Sequence, residues 1–411
     1  MKYHVWEYGA LPNGELCTTQ IQKAIDACFL AGGGEVIVPA GRYLVGGLRL
    51  RSDVTLHLLE DAVLMGSIDP EEYCGYIHDV VEPISEEERS AYVPTAKAGV
   101  ALWEDSRPHS RWNNAIIRAY RAKNIAIIGE RGSEINGQNC YDEQGEEGYR
   151  GPHAINMWYC ENITLRGYTV RDSANWAHAI QNSQKIDVRE VTVLGGHDGF
   201  DVRTCDDVVI ENCTFRAGDD CIAGFDNCRV RVRNCYFESA CSIFRFGGND
   251  VLIENCRGTC ATEYGHRYKL TDEEKRNRVP TTAACRYNCH TVFLYYCDNR
   301  AEIRKTPGDI TIRHCEFQTI DAVLNVPFGH KWCCNRSLAD ITFENCRIDG
   351  VCKPIQLTCP EDEPVTLHMT DCVVSAREGF EEIPFATGTN VKEFQLKNVS
   401  LEKFTSPTYR F

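Results

Sequence analysis

The sequence predicts an all-β protein built as a parallel β-helix, because short apolar runs recur along the chain at a nearly constant interval. Three consecutive runs end alike, with Ile-Glu-Asn-Cys at 210–213, Val-Arg-Asn-Cys at 232–235 and Ile-Glu-Asn-Cys at 253–256. Their cysteines are 22 and then 21 residues apart. A period of this length, with no long helix between the runs, is typical of a solenoid whose coils stack on one another.

The first element is a helix at 18–31, where apolar side chains follow helical spacing. Thr18 or Thr19 is placed to cap its start, and Gly-Gly-Gly at 32–34 ends it. Because the end of a solenoid would otherwise expose the stacked core, we expect this amphipathic helix to cover that end.

Strand-like runs then continue to the end of the chain, separated by Gly, Asn and Asp as turns require. Few Asn-Gly or Asp-Gly pairs occur at the two-residue spacing of hairpins, which disfavours a sandwich or a propeller. We therefore expect one parallel β-helix domain over residues 1–411. The runs lie at 36–41, 54–58, 125–129, 163–167, 188–193, 208–215, 230–237, 251–256, 310–315, 341–346, 365–372 and 394–399.

Two stretches break this rhythm and are predicted to be loop insertions on the binding face, with plain solvated loops as the alternative. Residues 71–112 are acidic at first and then aromatic and basic. Residues 261–300 include Leu-Thr-Asp-Glu-Glu-Lys-Arg at 270–276, which is typical of a short capped helix.

Composition narrows the classes of partner. The formal net charge of −15 argues against binding to nucleic acid or to an anionic membrane surface. No run of about 20 apolar residues predicts a membrane span, and the N-terminal residues lack the apolar core of a signal peptide, so we expect a cytoplasmic protein. The 23 cysteines are then expected to be structural thiols of a reducing compartment rather than disulfides or metal ligands.

Two acidic clusters carry the prediction of chemistry. Asp198 follows one apolar run, and Asp219 and Asp220 follow the next, 21 and 22 residues later. Residues one period apart lie on neighbouring coils, about 4.8 Å apart, so the three carboxyl groups are expected to share one face. Glycoside hydrolysis requires such paired carboxylates.

The chain resembles glycoside hydrolase family 28, the polygalacturonase-like members of the pectin-lyase-like β-helices. The resemblance covers most of the length and implies a single-stranded right-handed parallel β-helix. Its strongest motif is the tandem aspartate pair at the correct offset from Asp198. The motifs are the segment 8–43, Glu-Ile-Asn-Gly-Gln at 134–138, Asp-Ser-Ala-Asn-Trp-Ala-His at 172–178, His-Asp-Gly-Phe-Asp at 197–201 and Gly-Asp-Asp-Cys-Ile-Ala at 218–223.

The chain departs from the family pattern at two positions. Residues 239–248, one coil after the aspartate pair, contain no counterpart of the usual Gly-His-Gly histidine, and Arg245 is predicted to bind substrate in its place. The nearest counterpart of the Arg-Ile-Lys motif, which grips a uronate carboxylate, is Arg304 and Lys305.

The resemblance implies hydrolysis with inversion and without a metal or another cofactor. Asp219 would be the general acid, while Asp198 and Asp220 would position and deprotonate water. Repulsion within the cluster would raise the pKa of at least one carboxyl group. The predicted substrate-binding residues are His197, Arg245, Trp176, His178, Arg304, Lys305, His266 and Arg267.

Each binding residue also has a structural interpretation. Trp176 and His178 could pack in the core, His266 and Arg267 could lie in a solvated loop, and His197 could sit in a surface turn.

The function that these features favour is hydrolysis of short oligosaccharides, with pectin-derived galacturonoside or rhamnogalacturonan fragments as the substrates implied by the resemblance. A β-helix lyase or epimerase is the first alternative, since both abstract a proton next to a carboxylate, often with Ca²⁺. A non-catalytic carbohydrate-binding β-helix is the second. The oligomeric state does not follow from the sequence.

Overall fold

Parallel strand pairing dominates the structure, a computed structural model that describes residues 1–86, 110–280, 291–297, 308–327, 340–361 and 365–411. Two sheets of parallel strands with few helices confirm the predicted fold class, a parallel β-helix. The chain divides into two units, the first formed by Met1–Phe200 with Arg267–Ala284 and the second by Asp201–His266 with Cys285–Phe411.

The first unit begins with the predicted helix, α1 (Thr18–Leu30), which buries Ile21 and Ile25 on one face. Its cap differs from the prediction, because Cys17 occupies the N-cap position and makes no side-chain cap. The Thr18 hydroxyl instead accepts a hydrogen bond from the Gly46 amide at 2.7 Å. The helix is therefore held by burial and by this contact with the strand region.

Fifteen strands follow the coil period in the described part of the first unit, and β3, β6, β9, β12 and β15 form one of its two sheets. They are β1 (Lys2–His4), β2 (Gly34–Val38), β3 (Gly41–Val45), β4 (Leu48–Arg49), β5 (Val54–Leu58), β6 (Ala62–Gly66), β7 (Ala115–Tyr120), β8 (Lys123–Gly129), β9 (Glu134–Asn136), β10 (His153–Trp158), β11 (Glu161–Arg166), β12 (Thr169–Arg171), β13 (His178–Gln181), β14 (Gln184–Arg189) and β15 (Thr192–Gly195).

The second unit continues the same pattern, with β18, β20, β22, β25, β28, β31 and β34 in one sheet. Its strands are β16 (Phe200–Arg203), which begins at the last residue of the first unit, β17 (Asp206–Glu211), β18 (Thr214–Ala217), β19 (Ile222–Arg233), β20 (Tyr236–Ser239), β21 (Ser242–Glu254), β22 (Arg257–Thr259), β23 (Thr291–Tyr295), β24 (Gly308–Arg313), β25 (Glu316–Gln318), β26 (Ala322–Val326), β27 (Asp340–Glu344), β28 (Arg347–Val351), β29 (Ile355–Thr358), β30 (Val365–Thr370), β31 (Val373–Ala376), β32 (Ala386–Thr389), β33 (Val391–Lys397), β34 (Ser400–Glu402) and β35 (Tyr409–Arg410).

The Asn-Cys repeat has a simple physical basis. Asn234 turns the chain with a left-handed φ of 53°, a conformation that asparagine tolerates better than most residues. Cys235 then points into the core, and its Sγ lies 3.1 Å from the carbonyl of Arg233. The same arrangement recurs at Cys213 and Cys256. The cysteine period therefore reports an interior stack, as the sequence predicts.

Among the described cysteines Cys260 is disulfide-bonded, while the others are free thiols. This bond is unlike the sequence prediction, since a reducing compartment disfavours disulfides.

The two predicted insertions have local structure of their own. In the first unit, 3-10 turns at Pro70–Tyr73 and Gly75–His78 lie in the first insertion, of which residues 87–109 fall outside the described chain. The second insertion contains a short helix, α2 (Asp272–Arg276), which Thr271 caps as predicted. The prediction of a loop over 261–300 is wrong at β23, which pairs with β21 and β26 and buries all of its residues except Leu294.

Further 3-10 turns lie at Val5–Tyr8, Arg111–Asn113, Glu146–Gly148 and Arg267–Lys269. Within the described residues, no helix combines the length and apolarity needed to cross a bilayer.

Candidate active site

The aspartate pair occupies the turn between β18 and β19 in the second unit, and its two carboxyl groups have different environments. Asp220 is buried, with 2% of its surface exposed. The Asp219 side chain keeps 19% of its surface in solvent. Neighbouring residues of the same turn therefore present one carboxyl group to a ligand and one to the protein interior.

Asp219 contacts a histidine from the second insertion. The Nε2 atom of His266 lies 2.8 Å from Oδ2 of Asp219. The backbone of the aspartate is also held, because the Ser239 hydroxyl donates to its carbonyl at 2.8 Å and in turn accepts from the Cys241 amide. The loop that carries Asp219 is thus fixed on its backbone side and contacted by an imidazole at its carboxyl group.

Asp220 is bound by the next coil. Strand β19 pairs with β21 so that Ala223 lies beside Arg245. The Ser242 amide donates to Oδ1 of Asp220 at 3.1 Å, and Nη1 of Arg245 lies 3.9 Å from its Oδ2. The Arg245 guanidinium also lies over the Tyr296 ring, 4.0 Å from the centroid, a cation–π geometry that fixes its position.

Burial dominates the titration of this pair. Burial, followed by the negative charge of Asp219, raises the pKa of the Asp220 carboxyl to about 7. The Arg245 charge and the Ser242 hydrogen bonds act in the opposite direction but do not offset the burial. The pair therefore retains a proton close to neutral pH, as general acid catalysis requires.

A thiol completes this cluster. One ligand atom each of Asp219, Asp220 and Cys241 lies within 4.8 Å of the others. Calcium prefers six to eight oxygen ligands, whereas thiolates suit softer metals. Two carboxylates and a thiol are therefore a poor set for the Ca²⁺ that a β-helix lyase or epimerase would use.

Asp198 and His197 lie in the first unit, in the loop after β15. Asp198 is buried and its carbonyl accepts the Ala177 amide at 2.9 Å. His197 is buried as well, and its ring stacks on Tyr149 with centroids 5.9 Å apart, so it does not sit in a surface turn. The roles predicted for these two residues stay predictions from the sequence period and the resemblance.

Trp176 and His178 occupy core positions, the structural interpretation that the sequence left open. His178 is buried between the Tyr168 hydroxyl and the Gly199 carbonyl, at 3.1 and 3.0 Å, and burial lowers its pKa to about 4. Trp176 is buried against the edge of Trp112 at 5.0 Å. Neither ring is exposed in these positions, and their roles as substrate-binding residues stay predictions.

Arg267, a predicted substrate contact, lies in the protein interior, and that role stays a prediction. Its side chain is fully buried, and Nη2 donates to the carbonyl of Asn139 at 2.6 Å and of Lys275 at 3.3 Å. Arg304 and Lys305, the predicted anion-binding pair, lie outside the described residues.

Two site residues were missed from the sequence. Ser242 follows Asp220 by 22 residues, so the period alone could have identified it as the coil neighbour. Tyr296 comes directly after β23, inside the stretch predicted to be a loop, and no spacing pointed to it.

Asp201 pairs with Arg203 at 2.8 Å in a buried structural contact.

Comparison with known proteins supports the resemblance. The sequence model of the family described as Glycosyl hydrolases family 28 matches residues 96–267, which include all three predicted catalytic aspartates. An exo-poly-alpha-D-galacturonosidase of Dickeya chrysanthemi is 27% identical over 369 residues, 76% of this chain and 60% of the relative. A mannuronan C5-epimerase, AlgE5 of Azotobacter vinelandii, is 43% identical over 68 residues, 16% of this chain and 7% of the relative.

A solved structure with a similar fold is also that of an exopolygalacturonase. The crystal structure of a hyperthermoactive exopolygalacturonase from Thermotoga maritima superposes with a TM-score of 0.61, covering 98% of this chain and 92% of that one at 14% identity. At this identity the likeness shows the fold alone. The chain spans about half the length of the curated polygalacturonase relatives that it matches. These findings confirm a family 28-like protein with a pectin-lyase-like fold.

Proposed function

We propose that this protein is a glycoside hydrolase that cleaves O-glycosidic bonds of short oligosaccharides. The observation that carries the proposal is the contrast within one turn, where Asp219 is accessible and contacts His266 while Asp220 is buried and holds a raised pKa. A glycosidase needs a carboxylic acid that stays protonated near neutral pH and lies where a glycosidic oxygen can reach it.

The pair supplies this acid as a unit. Asp220 is too buried to meet a sugar, but its desolvation keeps one proton on the two coupled carboxyl groups. Asp219 is the member that faces solvent, so it delivers the proton to the leaving oxygen. His266, in contact with Asp219, orients the carboxyl group during this transfer.

The water-activating base is a different carboxylate. In inverting glycosidases the acid and the base are about 6.5–9.5 Å apart to admit a water molecule, whereas oxygens of Asp219 and Asp220 lie within 4.8 Å of one another. The pair therefore leaves no room for water between its own members. Asp198, one sequence period earlier, is our proposed base, and inversion follows if it takes this role.

The proposed substrates are pectin-derived fragments that contain galacturonoside or rhamnogalacturonan. The position of Arg245 favours an acidic sugar as the substrate. Its partly exposed guanidinium lies beside the pair and can donate hydrogen bonds to a carboxylate. Exo-action on small imported fragments fits the expected cytoplasmic location, and both are proposals.

The test is incubation with a panel of oligogalacturonides, rhamnogalacturonan fragments and neutral oligosaccharides, with products followed by chromatography. Saturated sugar products that disappear with Asp219→Asn support the proposal. Asp250→Asn is the matched control, since Asp250 is half-exposed and pairs only with Arg231 among the contacts described for it. The anomeric form of the first product, read by NMR, distinguishes inversion from retention.

Epimerisation or lyase chemistry is the second candidate, favoured by the 68-residue match to a mannuronan C5-epimerase. An unsaturated product that absorbs ultraviolet light, or a change of sugar configuration without cleavage, would replace hydrolysis as the function. Activity lost with a chelator would point in the same direction. Tight binding without any product would leave a carbohydrate-binding protein.

A further inference from the structure

A polar cavity lies in the first unit and is formed only by residues of that unit. It has a volume of about 220 Å³, and we call it the polar chamber. Guanidinium, amide and carboxyl groups all line it. These groups belong to Arg42, Asn136, Asn139, Asp172 and Arg278. It shares no residue with the aspartate pair.

The loops that form the chamber are held in unusual backbone conformations. Asn139 and Asp172 have left-handed φ angles of 50° and 47°, and the Asn139 amide donates to the Asp172 carbonyl at 2.9 Å. The buried Arg267 side chain donates a hydrogen bond to the Asn139 carbonyl. Strained residues persist where surrounding contacts fix them, so the chamber is a pre-formed feature.

One acceptor that lines the chamber lacks a hydrogen-bond donor among the residues that the structure describes. Asn139 has 2% of its surface exposed, and no described residue donates a hydrogen bond to its Oδ1 atom. The side-chain NH₂ group of Asn139 is already engaged, because it donates a hydrogen bond to the Asp172 carboxyl group. A buried acceptor without a partner is unfavourable, so a ligand that brings a hydroxyl donor would satisfy it.

The two arginines give the chamber its positive charge. Arg42 and Arg278 form no salt bridge with any part of the chain that the structure describes. The only side-chain contact described for Arg42 is with the sulfur of Met65 at 3.0 Å. In a chain of net charge −15, two arginines that outnumber the single carboxyl group of Asp172 at one cavity favour an anionic ligand.

An apolar groove of about 450 Å³ opens beside the chamber and shares Arg42, Met65, Gln138 and Arg278 with it. Its apolar lining includes Pro12, Leu44 and Ile68. The chamber alone is smaller than the roughly 300–1,000 Å³ of sites for drug-sized molecules, so it suits one small ring. The groove suits the apolar face of a second ring.

We propose that the polar chamber and the apolar groove together form a second saccharide site, which binds an acidic disaccharide away from the aspartate pair. Arg42 and Arg278 bind the carboxylate of the sugar, while Asp172 and Asn139 accept its hydroxyl groups. A simple inorganic anion is a poorer ligand, because it brings no donor for these acceptors. The inference goes beyond the proposed hydrolysis and does not require it.

The experiment measures binding in the full chain by calorimetry, with digalacturonate as the probe and galactobiose as its neutral counterpart. Asp219→Asn serves as the parent protein, so that turnover does not consume the probe. We expect the Arg42→Gln/Arg278→Gln double variant to bind digalacturonate about tenfold more weakly, the loss of one or two charged hydrogen bonds. Arg131→Gln is the matched control, since Arg131 is exposed and lines neither cavity.

The outcomes separate this site from the aspartate pair. Weaker binding in the double variant, with thermal unfolding unchanged and galactobiose bound poorly by the parent, supports the second site. Unchanged affinity in the double variant, or equal affinity for both disaccharides, overturns it. Affinity that falls only with Arg245→Gln also overturns it, because the probe would then bind solely at the aspartate pair. None of these outcomes depends on whether the wild-type protein hydrolyses sugars.

Discussion

The Nε2 atom of His266 lies 2.8 Å from Oδ2 of Asp219. The histidine comes from an insertion and not from the coil that follows the aspartate pair, where the family pattern has its Gly-His-Gly motif. The protein thus brings an imidazole to Asp219 from another part of the chain. From this contact we infer that His266 is a positioning residue for the acid.

We predict that His266→Ala lowers kcat about 10- to 100-fold while KM changes less than threefold. The reason is that an acid in the wrong orientation loses part of the 10²–10⁴-fold gain of general acid catalysis, whereas the sugar contacts remain. Steady-state kinetics on the substrate found in the panel measures both constants.

The control for this prediction is His266→Gln, whose amide can still donate to Asp219 and should restore part of kcat. A rise in KM with unchanged kcat would contradict the positioning role and return His266 to the sugar-binding residues.

The raised pKa of Asp220 predicts an unusual dependence of stability on pH. Its pKa is raised to about 7 in the folded protein, against about 3.9 in an unfolded chain. Between these values the folded state binds more protons than the unfolded state, so the contribution of Asp220 to stability falls as the pH rises from about 4 to about 7. Asp220→Asn removes this loss, because the amide stays neutral and can still accept from the Ser242 amide.

We therefore expect Asp220→Asn to raise the free energy of unfolding by about 1–3 kcal/mol at pH 8 and to change it little at pH 4. Urea unfolding of both proteins at the two pH values measures the difference. Asp250→Asn, at a half-exposed aspartate, should show no such pH dependence. Equal stabilities at pH 8 would mean that Asp220 is ionised at little cost.

The protonation of the same carboxyl pair predicts how activity decreases at alkaline pH. Because the pair must hold a proton to protonate the leaving group, kcat should decrease as the pH rises through about 7. A pH profile of kcat between about 4 and 9 measures this limb. A profile that stays flat up to pH 9 would exclude the pair as the proton donor.

Arg245 predicts charge selectivity. Arg245→Gln should raise KM about tenfold for a uronate-containing substrate, the loss of one charged hydrogen bond, and should change KM for a neutral analogue far less. Arg231→Gln is a matched control on the neighbouring strand, since Arg231 pairs with Asp250 on the surface. Equal changes for both substrates would indicate that Arg245 acts only on Asp220.

The sequence period predicted those features that repeat with it. The cysteine stack, the asparagine turns and the position of the aspartate pair all follow from one residue type recurring at one place in each coil. Contacts made by insertions have no period, so the pairing of His266 with Asp219 and the Tyr296 ring under Arg245 could not be read from spacing. The prediction that Trp176 and His178 bind a sugar came from the family resemblance and not from the period, and both rings are buried in the structure.

The turn asparagines provide the most direct test of the repeat itself. Asn234 is exposed and has a φ of 53°, a region that costs most residues with a Cβ atom about 1 kcal/mol or more. Asn234→Gly should leave the free energy of unfolding within about 0.5 kcal/mol of wild type, because glycine adopts this conformation without strain. Asn234→Val should lower it by about 1–2 kcal/mol, since a β-branched side chain is the least tolerant of a positive φ. Urea unfolding of the two variants measures the difference, and Arg257→Val provides an exposed control at the start of a strand, where no left-handed turn is required. If valine and glycine had equal effects at Asn234, side-chain contacts rather than backbone conformation would explain why asparagine precedes Cys213, Cys235 and Cys256.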